Sequence, residues 1–105
     1  MKKSIDPQFL PFDVSECASE IGKYLRAMRI VRRFTMADVA AKSGVSLRTL
    51  SDIENGKPGV QMVHVLNALW VVDGLRTVRD SLRIEQDAFF LDDARATLPR
   101  RVRTR

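Results

Sequence analysis

Apolar residues recur at helical spacing in five stretches of the chain. Ile21, Leu25 and Met28 fall at i, i+4 and i+7, which predicts a first helix over 21–33. Val39 and Ala40 mark a second helix over 36–42, and Leu50 and Ile53 a third over 47–55. Each of these two opens after a hydroxyl residue, Thr35 and Ser46, whose side chain can accept from the backbone N–H groups of the first turn. A fourth pattern covers 60–72, its buried stripe expected to run through Met62 or Val63 and then Leu66 and Leu69. A fifth covers 75–84 through Leu75, Val78 and Leu82. Gly44, Asn55-Gly56, Pro58-Gly59 and Asp73-Gly74 separate the last four. The expected fold is all-α.

The two ends break the pattern. Pro7 and Pro11 exclude one continuous helix over residues 1–20 and favour an extended arm, although a helix starting early from Ser15 fits as well. Phe9 and Phe12 on that arm are expected to pack on this subunit or on a partner. Phe89, Phe90 and Leu91 form a second apolar group that should also dock, a second subunit being one candidate. The last eight residues hold Pro99 and four Arg, and read either as a flexible arm for a nucleic-acid backbone or minor groove, or as a solvated tail.

The centre of the chain carries the chemistry. Between the second and third helices, Ser43-Gly44-Val45 leaves room only for a tight corner, with Gly44 available for a positive φ. Two short helices joined by such a turn form a helix-turn-helix. Leu50 and Ile53 face its core, which leaves Leu47, Arg48, Ser51 and Asp52 as an exposed stripe and Gly56 as the helix stop.

With these residues the segment resembles the helix-turn-helix of the Cro/repressor-like (XRE) family of bacterial and phage regulators. The likeness rests on Leu25, Arg29, Thr35, Val39-Ala40, Gly44-Val45-Ser46, Leu50, Ile53 through Lys57, and Leu66 with Leu69. It covers about residues 21–72 and leaves both ends outside. It implies a compact five-helix repressor-like fold, with an N-terminal arm over 1–20, the helix-turn-helix DNA-binding domain over 21–73, and a C-terminal helix and basic tail over 74–105. It also implies that Arg29 and Glu54 form a buried, structural ion pair, and that two copies pair on a near-palindromic site, the helix at 75–84 contributing to the dimer.

For double-stranded DNA the resemblance and the residues together assign roles. The third helix would enter the major groove by its N-terminal turn, with Ser46 on phosphate. Arg48 would fork onto guanine and Leu47 meet a thymine methyl, with Thr49 and Ser51 as adaptable polar contacts. Asp52 would either accept from cytosine or pair with Arg48 and orient it. Arg33 and Lys57 are edge contacts to phosphate. The family places a glutamine just after the first cap; here that DNA-facing position is Met36, which leaves the phosphate clamp to Thr35.

Composition narrows the alternatives. A net charge of +5 calls for an anionic partner, and it is uneven: residues 1–20 hold two bases against four acids, residues 21–73 eight against four, residues 74–105 eight against five. Cys17 is the lone cysteine, expected to be a small apolar contact in a reducing cytoplasm, and no apolar run spans a bilayer. His64 has no companion at ligand spacing, so no metal or cofactor is expected; Trp70 is assigned to core or interface. No catalytic constellation appears, so an enzyme is not expected. The expected function is sequence-specific transcriptional regulation, as a dimeric repressor. The alternative is an antitoxin-type module whose apolar ends wrap a toxin partner and which also represses its own operon.

Overall fold

The computed structural model describes Asp6, Phe9–Arg83 and Leu91, and among these residues all regular structure is helical. Five helices follow in order: α1 Phe12–Val31, α2 Met36–Ser43, α3 Leu47–Glu54, α4 Met62–Val71 and α5 Leu75–Ser81. The chain divides into two compact units, Met1–Leu75 and Arg76–Arg105. The first holds α1–α4 and the core. In the second, the described part of α5 is closed by Ser81 Oγ donating to the Val78 carbonyl at 2.7 Å and by an exposed Arg83–Asp80 pair at 3.6 Å.

The first helix starts nine residues before Ile21 and three before Ser15. Pro11 takes the N-cap position with φ −56° and ψ 148°, where its missing N–H costs nothing. Its carbonyl accepts from Val14 and Ser15, and Asp13 favours the positive end of the dipole. The prolines forbid helix before residue 11, not after it. Phe9 and Phe12 do not pack on this subunit: both stand exposed. At the other end α1 stops at Val31 rather than Arg33. Arg33 turns left-handed, φ 60°, and Phe34 N–H returns to the Arg29 carbonyl at 3.0 Å.

Leu25, Val39, Val45, Leu50, Ile53, Ala68, Leu69 and Val72 make the core. Only Leu69 of the stripe expected on α4 is buried; Met62 and Val63 are exposed, and the packed side runs through Val65, Ala68, Leu69 and Val72. α4 carries no charged residue, so its wet side is marked only weakly, by Asn67. Trp70 is not core either; it is 67 % exposed. Phe34 is half-buried under the Lys42 ammonium, 5.3 Å from its ring centroid. Leu82 is exposed rather than packed. The Phe89-Phe90 pair and the arginine-rich tail lie outside the described residues.

α1 and α3 meet at main-chain distance. A Cβ at Gly22 would overlap the Ile53 carbonyl oxygen and stand 2.8 Å from that of Glu54. Glycine here is a packing requirement, because α1 rests directly on the last turn of α3.

Candidate nucleic-acid interface

Both caps form as their sequences require. The Thr35 hydroxyl accepts from Asp38 N–H at 3.0 Å while the Asp38 carboxylate accepts from Thr35 N–H at 2.8 Å, a reciprocal capping box. The hydrogen bond from the Thr35 backbone N–H, joined by that of its side chain, holds the Asp38 carboxyl below its ordinary range. Ser46 accepts from Thr49 N–H at 3.1 Å and donates to the Thr49 hydroxyl at 3.0 Å. The remaining first-turn donors, the N–H groups of Met36, Ala37, Leu47 and Arg48, have no acceptor among the described residues. Two helix N-termini thus present backbone donors, with positive dipole ends behind them.

The corner between the helices is fixed from three sides. Gly44 is left-handed at φ 73°, its N–H reaching the Ala40 carbonyl. Ser43 Oγ donates to the Val39 carbonyl at 2.6 Å and accepts from Val45 N–H at 3.2 Å. Val45, 2 % exposed, is driven into the core and anchors the turn.

At the far end of α3, Arg29 Nε donates to one Glu54 oxygen at 2.7 Å and Arg29 Nη2 to the other at 3.1 Å. The side chains are 13 % and 6 % exposed, so the pair is bidentate and largely desolvated. The Glu54 hydrogen bond, against an opposing effect of burial, raises the Arg29 pKa. Arg29 Nη1 also donates to the Phe34 carbonyl at 3.1 Å. One guanidinium therefore ties α1 to the start of α2 and to the end of α3, which fixes the pose of α3.

The side of α3 opposite Leu50 and Ile53 is centred on Arg48, Ser51 and Asn55, with Leu47 and Asp52 at its borders. Arg48 is exposed and makes no ion pair or hydrogen bond among the described residues, so its fork is available. Leu47 is 53 % exposed, an apolar group held at the surface beside it. Thr49 falls elsewhere: it is half-buried and bonded to the Ser46 cap, away from the centre of this face. Asp52 neither orients Arg48 nor stands open. Left-handed Gly56 turns the chain so that Lys57 N–H reaches the Asp52 carbonyl at 3.0 Å and the Lys57 ammonium its carboxylate at 3.3 Å. That pair also occupies the lysine expected at phosphate. Met36 is half-buried, while Thr35 and Arg33 are exposed at the entry to α2.

Asn55 is not among the DNA-facing residues expected from the sequence, which places it at the end of the third helix. It is exposed, and its amide donates to the Ser51 hydroxyl at 3.3 Å. Its spacing of seven from Arg48 and four from Ser51 was the available signal. Among the described residues no cluster of His, Cys, Asp or Glu could hold a metal ion, and no helix is long and apolar enough to cross a membrane.

Residues 20–83, more than half of the chain, match the family model described as a helix-turn-helix domain. A stretch of 54 residues is 39 % identical to an uncharacterised HTH-type transcriptional regulator, RghRB, of Bacillus subtilis (strain 168). The alignment takes in 51 % of this chain and 39 % of that protein, so the chain spans well under half of its relative's length. No solved structure matches. Capped α2, the Gly44 corner, capped α3 and the Arg29–Glu54 brace stand where the XRE-like motif requires them, and the chain belongs to the helix-turn-helix domain family.

Proposed function

We propose that this protein is a sequence-specific DNA-binding transcriptional regulator that represses by occupying a near-palindromic operator as a dimer. The observation that carries the reading is the α3 face itself. Arg48, without a partner among the described residues, and Ser51 and Asn55, bonded to each other, point away from the core, ahead of a braced helix end and beside two N-termini with unpaired backbone donors. An α-helix with its side chains is about 10–12 Å across and fits a major groove about 12 Å wide, and α3 is eight residues long.

In this reading the N–H groups at the starts of α2 and α3 take phosphates on either side of the groove, with Thr35, Ser46 and exposed Arg33 beside them. Arg48 reads guanine, Asn55 is suited to adenine, Leu47 meets a thymine methyl, and Met36 adds apolar contact at the groove edge. Asp52 acts through Lys57, and Thr49 through the Ser46 cap. Repression needs only occupancy, and the setting is the cytoplasm.

Selection of binding sites from random duplexes, followed by fluorescence anisotropy, tests this. A recurring near-palindromic site is expected, with affinity falling steeply as salt rises. Arg48→Ala should lower affinity about tenfold or more and relax preference at one position per half-site. Affinity indifferent to sequence, or untouched by Arg48→Ala, overturns the reading.

A second reading, a toxin-neutralising partner protein, is supported by the exposure of Phe9 and Phe12 on the described N-terminal segment. Co-expression with the product of a neighbouring reading frame, and loss of the complex on deleting residues 1–14, would establish it.

A further inference from the structure

The outer face of α1 carries a pattern complementary to itself. Gly22 and Leu25 define its buried side. Half a turn round the axis, Phe12, Glu16, Glu20, Lys23, Ala27 and Ile30 form one exposed line at helical spacing. The first half of the outer face is acidic, with Asp13 beside Glu16 and Glu20; the second is basic, with Arg26 beside Lys23. Both ends are apolar: Phe12 is 76 % exposed at one, and Val31 is 74 % exposed next to Ile30 at the other. None of these five charged side chains has an ion-pair or hydrogen-bond partner among the described residues, although Glu20 and Lys23 stand three apart.

We propose that α1 is the surface on which two copies of this chain pair, antiparallel, about a two-fold axis level with residues 21 and 22. Residue i then lies opposite residue 43−i. Glu20 meets the partner's Lys23 and Glu16 falls within one residue of the partner's Arg26. Phe12 lies against the partner's Val31, beside its Ile30. Two-fold symmetry makes every contact twice: four ion pairs in the middle and an apolar clamp at each end. A parallel pair would set acid on acid and base on base, so the charge pattern itself selects the antiparallel one. At 1.5 Å per residue the contact extends about 28 Å. One helix face of that length lies at the small end of specific interfaces, so the association is concentration-dependent, and exposed ion pairs make it weaken with salt. The inference supplies the face for the dimer proposed above and rests on that pairing. It is read without DNA, so an operator search and this measurement fail independently.

The test is a charge swap on the full chain, followed by sedimentation equilibrium at low salt. The native chain should approach twice its 11.9 kDa mass as concentration rises. Glu16→Lys with Glu20→Lys should sediment as a monomer over the same range, and so should Lys23→Glu with Arg26→Glu. Mixed in equal amounts, the two variants should restore the doubled mass, since each then faces its complement. Phe12→Ser should weaken association at least tenfold with the charges intact. All substituted positions are exposed, and helical circular dichroism checks that each variant is folded. A native chain that stays monomeric overturns the proposal. So do reversed variants that still self-associate, or a mixture that fails to pair although both variants are folded.

Discussion

Removing one partner of the Arg29–Glu54 pair should cost this domain a large share of its stability. The carboxylate is 6 % exposed and accepts two guanidinium hydrogen bonds, at 2.7 and 3.1 Å. With Arg29→Ala those bonds vanish while Glu54 stays enclosed beneath α1, and the Phe34 carbonyl loses its donor too. An exposed pair would be worth ~0–1 kcal/mol, but breaking a desolvated one costs about 3–5 kcal/mol. A domain of this size has roughly 5–10 kcal/mol in all, so the variant should be close to unfolding at 37 °C. Urea melts followed by circular dichroism at pH 7 give the difference directly. Arg29→Met with Glu54→Leu removes the uncompensated charge as well as the pair, and should recover most of the loss. A single-variant cost under about 1 kcal/mol, or a double variant no better than the single, would refute the reasoning. The pair would then be a surface contact and not the brace of α3.

Three further outcomes follow from the geometry. Gly22→Ala should destabilise by about 2 kcal/mol, because a Cβ overlapping the Ile53 carbonyl pushes α1 off α3 and outweighs the ~1 kcal/mol of helix propensity that alanine brings; thermal melts decide. Arg33→Gly should do the opposite for stability, gaining ~0.5–1 kcal/mol by relieving a left-handed φ of 60°, while anisotropy shows weaker DNA binding through the lost cation. Asp38 supplies the pH dependence. Its carboxyl is held below the ordinary range, so its contribution is fully present above the unfolded value near pH 4 and is lost as pH falls through the lower folded value. The native chain should therefore out-melt Asp38→Ala at pH 6, and the difference should shrink below about pH 4.

What the sequence made legible was local. Thr35, Ser46, Gly44 and Gly56 each act within four residues of their own position, and each stands in the conformation its chemistry dictates. The Arg29–Glu54 contact spans 25 residues and was accessible only through the resemblance. Periodicity failed where a helix had little polar contrast: α4 carries only His64 and Asn67 among Met, Val, Leu, Ala and Trp, and the tertiary fold chose Val65 and Ala68 over Met62 and Val63. The extended arm expected over 1–20 also gives way to helix from Phe12 onward, because Pro11 at the N-cap leaves the residues after it free to start one. Asp52 does not pair with Arg48, because its partner, Lys57, arrives by a turn at Gly56 and not along the helix. Gly22 gave no signal, since a close approach between helices leaves no trace in the spacing of one of them.

If α3 reads bases as proposed, one copy of this domain is too small for that task. At most Arg48 and Asn55 present two-pronged groups on the α3 face, each worth about 1–3 kcal/mol against a wrong base. In the proposed reading one module would discriminate by roughly 2–6 kcal/mol, while regulators separate their sites from bulk DNA by about 4–10 kcal/mol. Adding phosphate contacts from Thr35, Ser46 and Arg33 raises affinity for every sequence alike and leaves that gap unchanged. Doubling the reader closes it, and a two-fold pair does so with no new residue types. Such a pair can only read a two-fold site, with half-sites about one helical turn apart or a multiple of it. Under the two proposals together, operator spacing and the α1 interface become one geometric problem. Charge-swapped chains that pair only when mixed would bind such an operator together and half of it apart.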